Sequence, residues 1–250
     1  MKKTLLVVGH GSREAKANQG FEDFVRNFQS HVPDEKVSFG YLEIAQPTLT
    51  ESLQNAAQES ESVTLLPLFL FSAGHVKNDL PAAVQAIQKK FPEVQFDIAP
   101  ALGANPLMLR LLAKRTDETV STLSVPKEKT LLIIIGRGAS DPGANEEFCK
   151  LVGMFEKSTG FSRVEICYCA LSKPFLEETL NQAALGQPEA IIIQPYLLFP
   201  GKLIQKIEEE VALFSKKYPR IQIKVGKSLG EDESIFELLK EKVSSKKKFQ

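Results

Sequence analysis

The chain repeats itself. Adding 127 to a residue number in the first half often lands on a similar residue in the second. Leu5-Leu6-Val7-Val8-Gly9 becomes Leu132-Ile133-Ile134-Ile135-Gly136. Ala17-Asn18 and Phe21 become Ala144-Asn145 and Phe148, and Val25 and Phe28 become Val152 and Phe155. Tyr41 becomes Tyr168, and Pro47-x-Leu49-x-Glu51-x-Leu53 becomes Pro174-x-Leu176-x-Glu178-x-Leu180. Phe91-Pro92 becomes Tyr218-Pro219, and Gly103 becomes Gly230. The period is too long for a solenoid, whose repeats run to about 50 residues. It marks two copies of one domain, and 250 residues suffice for both.

Each copy alternates strand and helix. In the first, strands are expected at Thr4–Val8, Val37–Leu42, Val63–Phe71 and Gln95–Ile98. Helices are expected at Asn18–Gln29, Thr48–Gln58, Pro81–Phe91 and Pro106–Val120. The second repeats this with strands at Leu131–Ile135, Arg163–Cys169, Ala190–Phe199 and Gln222–Val225. Its helices fall near Asn145–Ser158, Phe175–Leu185, Leu203–Tyr218 and Asp232–Val243. Such alternation implies an α/β fold: two similar domains, each a parallel sheet flanked by helices, facing a central cleft. The first domain covers 1–120 and the second 130–245, joined by Ser121–Lys129 with its Pro126. The end, Ser244–Lys248, reads as a solvated, frayed tail.

Composition removes several classes of function. Hydrophobic residues are 43% and charged residues 25%, which excludes a disordered or collagen-like chain. Lys+Arg and Asp+Glu are both 31, so a global basic footprint for nucleic acid is absent. The run after Met1-Lys2-Lys3 stops at Gly9, too short for a signal peptide. No apolar run approaches the roughly 20 residues that span a bilayer. A cytoplasmic protein with no membrane or nucleic-acid partner is expected. Cys167 and Cys169 share one face of a strand and read as small core residues.

In open parallel sheets ligands bind beyond the carboxyl ends of the strands, so the residues after each strand matter most. After the first strand comes Gly9-His10-Gly11-Ser12-Arg13, after the second Glu43, and after the third Ser72-Ala73-Gly74-His75. His10, Glu43 and His75 should therefore share one rim. The third histidine, His31, follows a helix and is read as exposed. Ser12 and Arg13 are either solvated loop residues or substrate contacts.

The second copy is an internal control. At the same offset His10 becomes Arg137, Glu43 becomes Ala170 and His75 becomes Lys202, while glycines, prolines and core positions persist. Three candidate ligands lost together act as one unit, in one site in the first half. Arg137 and Lys202 put positive charge on the other rim, which suits a carboxylated ligand. Two His and one carboxylate suit a divalent metal such as Fe²⁺ or Co²⁺, and by ligand type also Zn²⁺. A neutral imidazole can also take a proton near neutral pH. Metal insertion, metal-dependent hydrolysis and oxygenation all remain open on these residues alone.

Val8-Gly9-His10-Gly11-Ser12-Arg13, Tyr41-Leu42-Glu43-x-x-x-Pro47 and Pro67-Leu68-Phe69-Leu70-x-x-x-Gly74-His75-x-x-x-Asp79-Leu80-Pro81 resemble the class II chelatases. The nearest group is the sirohydrochlorin chelatases, the SirB and CbiX families. Ile135-Gly136-Arg137-Gly138-Ala139-Ser140-Asp141 and Pro195-Tyr196-Leu197-Leu198-Phe199-x-Gly201 resemble the second-domain motifs of the long form. The resemblance implies two α/β domains around a cleft holding a tetrapyrrole. It implies insertion of a divalent metal into sirohydrochlorin, a macrocycle with eight carboxylate side chains. His10 and His75 would be catalytic, binding metal and accepting pyrrole protons. Glu43 would be the third metal ligand or the route by which protons leave. Ser12, Arg13, Arg137 and Lys202 are the candidate substrate contacts.

The partners expected are sirohydrochlorin and the metal, Fe²⁺ or Co²⁺, both as substrates, with no permanently bound cofactor and a monomeric enzyme. No phosphate-loop pattern is present, so the reaction is expected to be independent of ATP. The chain ends in Lys246-Lys247-Lys248-Phe249-Gln250, without the His-rich or Cys-rich extension of some long cobalt chelatases. That favours a ferrochelatase making sirohaem over a cobaltochelatase of cobalamin synthesis. The rivals are a non-catalytic tetrapyrrole or metal carrier, a two-His-one-carboxylate oxygenase and a His-nucleophile phosphatase. The oxygenases sit in all-β folds, and Gly9 stands where the phosphatase would need an arginine.

Overall fold

A computed structural model describes residues 2–230, 232–244 and the backbone of 247 and 248; the His75 side chain lies outside the described residues. The first copy runs β1 (Lys3–Gly9), α1 (Ala15–His31), β2 (Lys36–Tyr41), α2 (Leu49–Glu59) and β3 (Ser62–Pro67). A π-helical turn (His75–Asp79) then leads into α3 (Leu80–Gln88), β4 (Gln95–Ile98) and α4 (Pro106–Val120). The second runs β5 (Thr130–Gly136), α5 (Pro142–Glu156), β6 (Arg163–Tyr168), α6 (Leu176–Leu185), β7 (Ala190–Pro195), α7 (Lys202–Lys217), β8 (Gln222–Val225) and α8 (Glu233–Ser244). One parallel sheet has the order β2-β1-β3-β4 and the other β6-β5-β7-β8.

Every residue of β1 from Thr4 to Gly9 is buried, because helices cover both faces of the sheet. On one face Leu6 and Val8 pack with Leu53, Leu65, Val84 and Phe96. The opposite face meets the α1 stripe Phe21, Phe24, Val25 and Phe28, spaced at three and four residues as a helix requires. Truncating a fully buried ring such as Phe28 costs about 3–5 kcal/mol. The Phe236 ring of α8 lies 4.7 Å from that of Phe24. The His31 imidazole stacks on Phe236 at 4.4 Å, so this histidine is half-buried rather than exposed.

Both third strands end earlier than their apolar runs suggest, at Pro67 and Pro195 instead of Phe71 and Phe199. Proline lacks the N–H that would continue the ladder. The apolarity continues because Leu68 and Phe69 still pack on the core from a loop. At the other end of the chain Lys247–Lys248 forms a short β9 (Lys247–Lys248), antiparallel to β4. That backbone pairing replaces the frayed tail at these two positions, since the edge of β4 offers unpaired groups; Ser245, Lys246, Phe249 and Gln250 lie outside the described residues.

The compact units do not coincide with the sequence halves at 1–120 and 130–245. One unit runs to Gly103 and takes α8 and β9 from the end of the chain; the other is Ala104–Gly230. Helix α4, with its buried Leu107, Met108, Leu111 and Leu112, packs on β7 and α5. Its repeat partner α8 packs on β3. The copies thus exchange their last helices. Spacing identifies equivalent helices but carries no information on which sheet each one covers.

The repeat is also less uniform than one offset. Lys3 pairs with Ser62 and Thr130 with Ala190, which makes the offset 128 in the third strand. The buried Leu80, Val84 and Ile87 of α3 match Ile207, Val211 and Phe214 of α7 at 127 again. The first copy therefore holds one extra residue between β3 and α3, where the π-helical turn lies. A π turn accommodates such an insertion, and these turns concentrate at functional sites. His75 opens this turn. Its counterpart is Leu203 counted from β7 and Lys202 counted from α7, so the pairing with Lys202 holds only from the helix side.

Candidate active site

Three loops build the rim of the first unit. Gly9 closes β1 against α1: a Cβ there would come within 2.8 Å of the Phe21 ring. His10 follows, half-buried. Gly11 has φ +89°, and a Cβ on it would run into the Glu43 carbonyl oxygen. Only glycine permits both that conformation and that approach. The Ser12 N–H donates to Asn18 Oδ1 at 2.9 Å, and Asn18 Nδ2 donates back to the Ser12 carbonyl at 2.9 Å. The Ser12 hydroxyl accepts from the Glu14 N–H at 3.1 Å at the start of α1. Arg13 is exposed.

The loop after β2 is tied to the loop after β1. The Leu42 N–H donates to the Gly9 carbonyl at 3.0 Å, and the Glu43 N–H to the His10 carbonyl at 3.0 Å. Ile44 has φ +69°, and the Ala45 N–H closes a tight turn onto the Glu43 carbonyl at 2.6 Å. The Pro47-x-Leu49-x-Glu51-x-Leu53 pattern then has a structural reading. The Pro47 carbonyl accepts from the Tyr41 N–H at 2.9 Å, and Leu49 and Leu53 are buried. The Glu51 carboxylate accepts from the Thr48 N–H at 2.8 Å, completing a capping box that starts α2. Of the expected site residues this segment contributes Glu43, which is exposed.

After β3 the Leu68 N–H donates to the Val8 carbonyl at 2.9 Å, which keeps the departing chain beside β1. The π-helical turn begins at His75. Because the sheet order is β2-β1-β3, the segments carrying Glu43, His10 and His75 leave adjacent strands at one edge. Among the described residues no group of three His, Cys, Asp or Glu side chains is placed to hold a metal. The trio His10, Glu43 and His75 includes one side chain outside that set.

The second unit repeats the scaffold with different side chains. Gly136 abuts Phe148 at 2.8 Å and Gly138 has φ +81°. The Ala139 N–H donates to Asn145 Oδ1 at 3.0 Å. The Arg137 carbonyl accepts from the N–H groups of Ala170 at 3.2 Å and Leu171 at 3.1 Å. Arg137 and Lys202 are exposed. Sequence reasoning missed Lys206, one turn into α7, whose Nζ donates to the Cys169 carbonyl at 3.3 Å. Burial pushes the Cys169 thiol up, against the pull of the nearby Lys206 and Arg137 charges. The Lys206 ammonium therefore sits at the end of β6. Only the fold brings Lys206 there, since position 206 has no motif around it. Cys167 and Cys169 both lie in the core, as their shared strand face suggests.

The sequence profile of the CbiX family matches residues 4–119 and 131–246. Over 243 residues the chain is 30% identical to "Sirohydrochlorin cobaltochelatase" of Priestia megaterium, covering 96% of this chain and 78% of that one. It is 27% identical over 226 residues to "Sirohydrochlorin ferrochelatase" of Bacillus subtilis (strain 168), covering 89% and 84%. The solved structure "SirB from Bacillus subtilis with Fe3+" superposes with a TM-score of 0.84 at 24% identity, over 98% of this chain and 95% of that one. The likeness of fold extends to both copies. No helix among the described residues is long and apolar enough to cross a membrane.

Proposed function

The chain belongs to the CbiX family, in its long two-copy form, and we propose that it is a sirohydrochlorin chelatase that inserts Fe²⁺ to give sirohaem. The carrying observation is that segments with Glu43, His10 and His75 leave three adjacent strands at one sheet edge, in the one copy that has them. Relatives at similar identity are named for iron and for cobalt, and a donor set of two imidazoles and a carboxylate accepts either ion. Iron is the metal we assign, and Co²⁺ is the alternative.

In this reading the metal is a substrate. As it enters the macrocycle, two pyrrole N–H bonds break and two protons leave, so charge balances. His10 and His75 bind the incoming metal. A neutral imidazole also suits proton acceptance near neutral pH. Glu43 completes the metal site or passes protons to water, and its exposure suits that second role. Arg137, Lys202 and Lys206 supply cations for the carboxylate rim of the macrocycle, with Ser12 and Arg13 as further contacts. Holding metal and macrocycle within bonding reach is itself a large part of such catalysis.

An anaerobic absorbance assay tests this. Sirohydrochlorin is mixed with Fe²⁺ or Co²⁺ in the presence of the protein, of H10A, or of no protein. Acceleration by wild type alone establishes the chelatase, and the faster metal ranks the two products. Macrocycle binding with no acceleration by either metal would leave a carrier instead.

A further inference from the structure

We propose that Ile44 is a substrate-binding residue: an aliphatic side chain held out at the rim to pack on the apolar face of the macrocycle. The inference rests on the chelatase reading and adds to it a contact that none of the polar candidates provides.

Ile44 combines two features that stability alone does not explain. Its φ of +69° lies in the left-handed region, where a β-branched residue is an outlier. Its side chain is 59% exposed, so no burial offsets that strain. Glycine or asparagine would hold the same turn more easily. The turn itself is over-determined. The Glu43 N–H is fixed on the His10 carbonyl, the Ala45 N–H on the Glu43 carbonyl, and the Tyr41 N–H on the Pro47 carbonyl. Strain that persists under such constraint is characteristic of binding sites.

The repeat supplies the independent observation. Position 171 of the second unit is Leu, 53% exposed, beside Ala170 and on the Arg137 carbonyl. Both copies therefore place an aliphatic side chain in water directly after the second strand's rim residue. Single exposed apolar residues are ordinary on a surface. An exposed aliphatic side chain at equivalent positions in two copies, although the residue before it changed from Glu43 to Ala170, is not explained by chance exposure. A flat conjugated ring edged with carboxylates needs apolar contact on its faces and cations at its edge. On the first unit Ile44 supplies the apolar contact.

The test is an absorbance titration of the full chain with metal-free sirohydrochlorin, paired with thermal melts. I44G and I44N should melt no lower than wild type, because either residue accepts the left-handed turn. Both should bind the macrocycle about tenfold more weakly, the scale of a lost apolar contact. I44L should stay within about twofold of wild-type affinity, since the apolar contact is kept and only reshaped. Wild-type affinity in both I44G and I44N would overturn the inference while leaving the chelatase reading standing. Failure of wild type to bind the macrocycle would overturn the chelatase reading, and the inference with it.

Discussion

The backbone N–H of Glu43 donates to the carbonyl oxygen of His10 at 3.0 Å, and the Ala170 N–H makes the same bond to Arg137 at 3.2 Å. The two copies keep one backbone scaffold and differ in what it carries. Side chains at these positions can be exchanged without disturbing the loop that presents them.

H10A and E43A should therefore fold normally, with stability within about 0.5 kcal/mol of wild type, as is usual away from the core. Metal insertion by H10A should fall at least about 100-fold, the low end of what a lost general base costs. H75A should match H10A in the same assay. Wild-type turnover in either histidine variant would remove the mechanism.

Gly11 and Gly138 form a matched pair. Each has positive φ, and a Cβ would meet backbone in both cases: the Glu43 carbonyl at Gly11, and the Ser172 nitrogen at 2.7 Å at Gly138. Alanine at either should cost about 1–3 kcal/mol, read as a lower denaturant midpoint. Only G11A displaces the loop that carries Glu43, so only G11A should also lose turnover below its melting range.

R137A and K206A should raise KM for the macrocycle and leave kcat within about twofold, the signature of lost uniform binding. The effect should shrink as salt rises, because exposed charges are screened beyond roughly 10 Å at 0.1 M. A fall in kcat at unchanged KM would move these residues into the chemistry.

The thiols should separate cleanly. Cys149 is exposed, whereas Cys167 is buried and its thiol is pushed up by burial. Iodoacetamide at pH 8 should label Cys149 in the native protein and reach Cys167 and Cys169 only after denaturation. Mass spectrometry of the peptides reads the result.

The α2 cap gives a pH dependence with a defined sign. The Thr48 hydroxyl and N–H hold the Glu51 carboxyl below its ordinary value of 4.5. A depressed folded-state pKa means the contribution is present above the unfolded value and is lost as pH falls through the folded one. E51Q should therefore lower the melting temperature at pH 7 and converge with wild type in acid. A constant gap down to pH 2 would show that the carboxylate's charge plays no part.

Much of this protein is legible in its residues taken alone. The offset of 127 revealed the two copies, and the alternation of apolar runs with helical stripes gave parallel sheets. Both signals are periodic and local, and burial on both faces of a sheet writes them strongly. The strand-end rule then placed His10, Glu43 and His75 on one edge, because parallel neighbours must all end there. What the tertiary structure alone decided is less local. It assigned α4 and α8 to each other's units, since an amphipathic stripe shows that a helix is covered but not by which sheet. It moved one residue of the repeat into the turn that opens with His75, because pairing register is set by hydrogen bonds across strands. It brought Lys206 to the Cys169 carbonyl and left Ile44 strained in water; those outcomes depend on contacts between segments distant in sequence, or on a single φ angle.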